Sequence, residues 1–486
     1  MYNNKKKIVI IVMCIAIFVM ITGYSLLSTR LNIRGTSNLT DTWGIKISNV
    51  TYTATGRAHN IEEPTYNDTS MTFNVGVKEP GDKMVFNVTV TNYGTLDAIL
   101  EKIDATTSGS YLIIYNITGI KEQSKLKGGE SLTFQVTTEF DVNATFLPDS
   151  NKTLNVNLHY VQDDGQTVTP SNPSIVDNPL LVERVLANNH PKSDVGIDFS
   201  QINSDTNGKG LYYTSTNTED NKKTYYFRGA VENNYVSFAN NTWRIVRINE
   251  DGSIRLIKQD SVGNSKFNDN YNDAAYIGYM YGTPGSTTYA ATHANTNSST
   301  IRTMLDTWYQ NNLINYSVYL ADSGFCGDRS VASSANTWDS DDTALGYGTN
   351  LTYYGAYNRL SNNKTPQFKC PQSNDLYTTA TSTKGNKALT YPIGLITADE
   401  VAYAGGVEKI VNTSYYLTNG EYFWTMSPGS SGSDARVWFV YVDGVARYGY
   451  AGIVWGVRPV INLKSTAEII DGGNGTLNNP YVIKVN

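Results

Sequence analysis

The sequence predicts a multidomain, β-dominated chain: an N-terminal membrane segment, an all-β sandwich, and an α+β unit that fills the C-terminal part. Three observations carry this. Lys5, Lys6 and Lys7 precede an unbroken apolar run from Ile8 to Ile21. Apolar and polar residues alternate with period two in several runs between residues 30 and 162, the pattern of strands with one buried and one wet face. From about residue 195, Asn, Tyr, Gly, Ser and Thr dominate and the regular segments shorten.

The 486 residues suffice for about three units. Charged residues make up 17%, the net charge is −6 and the pI is about 5.4. That argues against a nucleic-acid binder, which needs a concentrated basic surface. Tyr supplies 35 of the aromatics, against 14 Phe and 7 Trp. Tyr serves both as a strand former and as a wet binding residue, and composition leaves both roles open.

Residues 1–29 read as cytoplasmic lysines followed by an apolar segment. Thr22 to Leu27 extend that run to about membrane-spanning length. Basic residues stay on the cytoplasmic side, so the rest of the chain is expected outside the cell, on a retained anchor or after cleavage of a signal. No later segment is apolar enough to span a bilayer. Outside the anchor only Cys326 and Cys370 carry thiols, and export permits a disulfide between them, with two unpaired buried cysteines as the alternative. Closing that loop contributes about 4 kcal/mol in the chain-entropy view. His59, His159, His190 and His293 are scattered without ligand spacing, so no metal site is expected.

Residues 30–162 form the predicted sandwich. Met84, Phe86, Val88 and Val90 alternate, as do Leu132, Phe134 and Val136, and Leu154, Val156 and Leu158. Glu79 to Asp82, Asn92 to Gly94 and Lys127 to Gly129 supply the turns. Trp43-Gly44-Ile45-Lys46-Ile47, and Pro80-Gly81-Asp82 ahead of Phe86 to Gly94, resemble Gram-positive surface proteins of the camelysin and biofilm-fibre type. Residues 163–194 are a linker stiffened by Pro170, Pro173 and Pro179. A short helix is expected over Leu180 to Ala187, docking on a neighbour through Leu181 and Val185.

Residues 195–486 open with a hairpin, Trp243 to Ile248 and Ile254 to Ile257, turned by Asp251-Gly252. Ser299 caps a helix bearing Ile301, Met304, Leu305 and Trp308 on one face. Thr397 and Glu400 form a capping box, and Gly405-Gly406 ends that helix. The loops 262–296 and 322–388 are too long for idle connections. The last hundred residues run through Tyr422 to Gly429, a strand from Asp434 to Val442, the turn Asp443-Gly444, then Val445 to Trp455 and Gly456-Val457-Arg458-Pro459-Val460-Ile461. This order resembles the C-type-lectin-like fold of bacterial surface proteins and of the variable proteins of diversity-generating retroelements, a fold shared with formylglycine-generating enzymes.

The resemblance implies that Val445 to Trp455 is a displayed, ligand-binding segment. The candidate ligand-binding residues are Trp438, Tyr441, Arg447, Tyr448, Tyr450 and Trp455. Tyr, Trp and Arg are the usual interface anchors; equally, Trp438, Tyr441 and Trp455 suit strand cores. Arg458 is expected to pair a carboxylate beneath the site, and Trp424 to lie in the core. No cysteine pair falls in the displayed segment, which argues against oxidase chemistry. Neither Glu-Pro-Asn nor Gln-Pro-Asp, the calcium-lectin tripeptides, occurs. Asp471 to Gly475 is an oxygen-rich turn that reads better as a hairpin connection.

The expected function is non-catalytic binding of a protein or carbohydrate ligand at the cell surface, with no catalytic residues, metal or cofactor. Two alternatives are a glycan hydrolase, which needs facing carboxylates, and a fibre subunit. Asp399 and Glu400 read as first-turn helix carboxylates favoured by the dipole.

Overall fold

The computed structural model describes residues 41–485, other than 111, 143, 145–151, 166, 168, 203–207, 333–343 and 471–472. The predicted membrane segment, residues 1–29, lies outside the described residues. Among those described, no helix is long and apolar enough to cross a membrane.

The N-terminal strands are β1 (Ile45–Thr55), β2 (His59–Tyr66), β3 (Ser70–Gly76), β4 (Lys83–Asn92), β5 (Ala98–Gly109), β6 (Ile113–Thr118), β7 (Lys125–Leu126), β8 (Ser131–Phe140), β9 (Lys152–Gln162) and β10 (Ile175–Pro179). They build two sheets, ordered β1-β4-β8-β6 and β10-β5-β9-β3-β2, with β7 on β5. The alternation in the sequence lands as expected. Phe86, Val88, Val136, Leu154 and Val156 are fully buried while their neighbours face solvent. Phe73 of one sheet and Phe86 of the other meet at 4.6 Å between ring centres, joining the layers.

The turns are held by side chains. The Asp82 carboxylate accepts the backbone N–H groups of Arg57, Lys78 and Glu79 at 2.8–2.9 Å. Buried Asn92 accepts from Gly94 N–H and donates to the carbonyls of Leu96 and Leu126.

The region read as linker is structured at its end. β10 pairs in parallel with β5, because extended chain next to an open strand edge satisfies backbone groups that are otherwise unpaired. The helix Leu181–Asn189 follows at once, burying Leu181, Val185 and Leu186 in the C-terminal core.

That core is one apolar cluster running from Leu180 to Ile483. One sheet joins the first and last strands of the unit. Asn241–Ile248 pairs with Thr224–Arg228, Tyr235–Phe238 and Ile254–Lys258, and Ile254–Lys258 pairs with Val460–Leu463. The predicted hairpin is present, but only Gly252 of its turn takes a positive φ, +78°. Ile469–Ile470 and Tyr481–Ile483 pair as an antiparallel hairpin, and of the expected turn Asp471 to Gly475 the first two residues, Asp471 and Gly472, lie outside the described residues.

Both predicted caps form. Ser299 accepts from Arg302 N–H at the start of Thr300–Asn312. Thr397 and Glu400 make the reciprocal box at the start of Ala398–Ala404, which Gly405 ends in the left-handed region.

His293 is buried under Tyr289, whose ring centre lies 4.2 Å away. Its Nε2 contacts the Gly346 carbonyl at 2.7 Å, and Nδ1 has no partner among the described groups. Burial, aided by the Arg329 charge, lowers its pKa to about 3 from 6.5. Below pH 6.5 the unfolded chain therefore takes up a proton that the folded chain refuses. This contribution to stability is complete above pH 6.5 and falls towards pH 3 by about 1.4 kcal/mol per pH unit. Denaturant titrations at pH 7 and pH 5 are expected to differ by about 2 kcal/mol, and His293→Gln to remove that difference.

Candidate functional site

The predicted binding segment folds as the outer hairpin of the second C-terminal sheet. Its strands run in the order Asn264–Lys266, Val454–Gly456, Phe423–Ser431, Arg436–Val440, Ala446–Tyr450. Asp443-Gly444 makes the turn, with Gly444 at φ +79°. Ala446–Tyr450 pairs with Arg436–Val440 and forms the rim of the sheet.

The six predicted residues do not share one surface. Trp438 lies opposite Tyr448, and Phe439 opposite Arg447, so consecutive positions point to opposite faces. Trp438, Tyr448 and Tyr450 fall on one side; Tyr441, Arg447 and Trp455 gather on the other. Trp438 is fully buried, which removes it from any ligand surface and gives it the core role. Tyr448 packs between Trp438, at 5.3 Å, and Tyr357, at 5.7 Å. Tyr450 is exposed, with the Arg436 guanidinium 4.7 Å from its ring.

The other side is a partly exposed aromatic strip. Trp455 stacks on Phe439 at 3.7 Å and lies 6.0 Å from Tyr422 with nearly parallel rings. Tyr422 meets Tyr441 edge-on at 4.5 Å. The Arg447 guanidinium sits 4.8 Å from the Tyr441 ring, within range of a cation–π contact. Gly449 permits this packing: a Cβ there falls 2.9 Å from the Trp455 ring.

Arg458 and Trp424 are both fully buried. Trp424 is core, as expected. Among the described residues Arg458 meets no carboxylate; it donates to the carbonyls of Lys258 and Leu417 and lies over the Phe423 ring. Carbonyls offer this guanidinium neutral acceptors in the core, and burial lowers its pKa to about 10.

Cys326 and Cys370 form a disulfide, with Sγ–Sγ 2.09 Å. It lines a cleft of about 290 Å³ that sequence reasoning did not find. The floor of this cleft is an array of buried ion pairs. Glu400 meets Arg247 at 3.0 Å and Arg255 at 2.7 Å. Arg359 grips Asp399 through two nitrogens, at 2.7 and 2.8 Å, and Asp328 through a third at 2.7 Å. Asp399 and Glu400 do stand in the first turn of a helix, as read, and their side chains also anchor the floor of the cleft. The available signal was Arg247 and Arg255 inside otherwise apolar strands, since an arginine there demands a partner.

The C-terminal unit thus carries a partly exposed aromatic strip and a separate charged cleft. No family model matches the chain, and comparison with curated proteins and with solved structures returns no match.

Proposed function

We propose that this is a non-catalytic ligand-binding or adhesion protein of the cell surface, anchored through residues 1–29, with its C-terminal unit built on the C-type-lectin-like plan. The element order supports that plan: first and last strands in one sheet, two capped helices, and a rim hairpin in a second sheet. The observation that carries the binding role is the Arg447–Tyr441–Tyr422–Trp455 strip. Arg447 is exposed and has no carboxylate partner among the described residues, so its N–H donors are free for a ligand while the rings offer flat apolar area. The carboxylates of the cleft floor, Asp328, Asp399 and Glu400, are each bound to arginine, which counts against their serving as the acid or base of a hydrolase.

The test is a glycan array and an array of immobilised extracellular-matrix proteins, probed with the full-length chain in mild detergent. Tyr441→Ser with Arg447→Ser is expected to weaken binding by about 30-fold, and Tyr450→Ser on the opposite face to leave it unchanged. Binding that survives the double substitution excludes this strip as the site.

A further inference from the structure

The charged cleft calls for a ligand of its own. Its floor is electrically balanced: Arg247, Arg255 and Arg359 face Asp328, Asp399 and Glu400. Its rim is not. Asp220 is matched by Lys384 at 2.6 Å. Among the described residues four further rim carboxylates accept hydrogen bonds only from neutral groups, with the Lys384 charge also facing two of them, Glu219 and Asp251. Glu219 accepts from Cys370 N–H and Glu250 from Glu219 N–H. Asp251 accepts from Ser253 and Ser323, and Asp322 from Thr379. Exposed Lys369 is the one further cation of the lining. The cleft therefore carries a negative excess over a neutral floor.

The unused polar atoms point the same way. Asp322 Oδ1 is buried with no hydrogen-bond partner among the described groups. So is Oδ1 of Asn249, a residue only 5% exposed. Arg247 Nη1 is the matching unused donor. Buried acceptors without donors are costly, and a carboxylate most of all. Among the described residues no group of side chains has a metal-binding arrangement, so an ion with several N–H donors fits these acceptors better than a bare cation.

We propose that this cleft binds an organic cation, a primary ammonium or a guanidinium on an amino-acid-sized stem. The ligand's N–H groups meet Asp322, Asn249 and the rim acids, and its carbonyl or carboxylate meets Arg247. The volume suits one amino-acid-sized group, not an oligosaccharide. The ligand is either a free basic amino acid or a lysine or arginine side chain of a polypeptide. This site shares no residue with the aromatic strip and stands independently of it.

Isothermal titration calorimetry on the full-length chain in detergent tests it, using L-lysine, L-arginine, the neutral analogues L-norleucine and L-citrulline, and a doubly capped Gly-Lys-Gly peptide. Lysine or arginine is expected to bind and the neutral analogues to bind at least about tenfold more weakly. Binding of the capped peptide assigns the site to polypeptide side chains; binding of the free amino acids only assigns it to a small solute. Asp322→Asn is expected to weaken binding about tenfold, as is Glu250→Gln, a substitution at the solvent-facing rim that keeps the measurement valid if Asp322→Asn fails to fold. Arg447→Ser is expected to change nothing. Absence of heat from all three cationic probes at about 10 mM, or equal binding of norleucine and lysine, overturns the proposal.

Discussion

Arg329→Met is expected to destabilise the C-terminal unit by about 3–5 kcal/mol, because it strips the cation from a carboxylate that water cannot reach. Arg329 and Asp375 are both fully buried. The guanidinium reaches one Asp375 oxygen through Nε and Nη2, at 2.8 and 2.6 Å, while Arg329 N–H meets the other at 2.6 Å. Its remaining N–H groups reach the Met280 carbonyl and Asn295 Oδ1. One side chain therefore ties together three distant loop segments. Met leaves the Asp375 carboxylate buried and uncompensated, and that charge is the main cost. Arg329→Met combined with Asp375→Leu is expected to lose clearly less than the sum of the two single changes, since no charge is then left unpaired. Urea titrations of the four proteins of this cycle measure the coupling. Equal costs for the double variant and the sum contradict it.

Loss of the Cys326–Cys370 disulfide is expected to cost about 4 kcal/mol, the loop-closure value for its 44-residue separation. Cys326→Ser with Cys370→Ser, compared with the parent by denaturant titration, gives the figure. Thiol titration of the denatured, unreduced protein is expected to find one free thiol, Cys14, and reduction to reveal three. The bond also joins two walls of the charged cleft, so the double serine variant is expected to lose cleft affinity along with stability. No measurable change in stability contradicts the closure argument.

Several features were legible because they are local. The alternation around Phe86, Phe134 and Val156 assigned buried faces correctly, since a strand's side chains alternate by covalent geometry. Ser299 and the Thr397–Glu400 box marked the helix starts, because capping is a matter of three or four neighbouring residues. Gly444 marked the rim hairpin for the same reason. The disulfide could be expected because only two thiols, Cys326 and Cys370, lie beyond the apolar N-terminal run.

The site was less legible. Tyr and Trp between 438 and 455 read as one surface because composition does not say which face a residue takes. Register does, and register placed Trp438 inside and split the other five between two sides. The charged cleft was hidden for a further reason. Arg247 and Glu400 are 153 positions apart, and Arg359 and Asp399 are 40 apart. Each charge looks ordinary in its own segment. Local sequence thus specified the strands, the caps, the turns and the class of architecture, because short-range sterics and patterning act within a few residues. Which aromatic rings meet solvent, which carboxylates find an arginine, and which are left facing a cavity were settled only when loop closure brought remote segments together. The interaction of two charges depends on their separation in space and their burial, and neither quantity exists until the chain has folded.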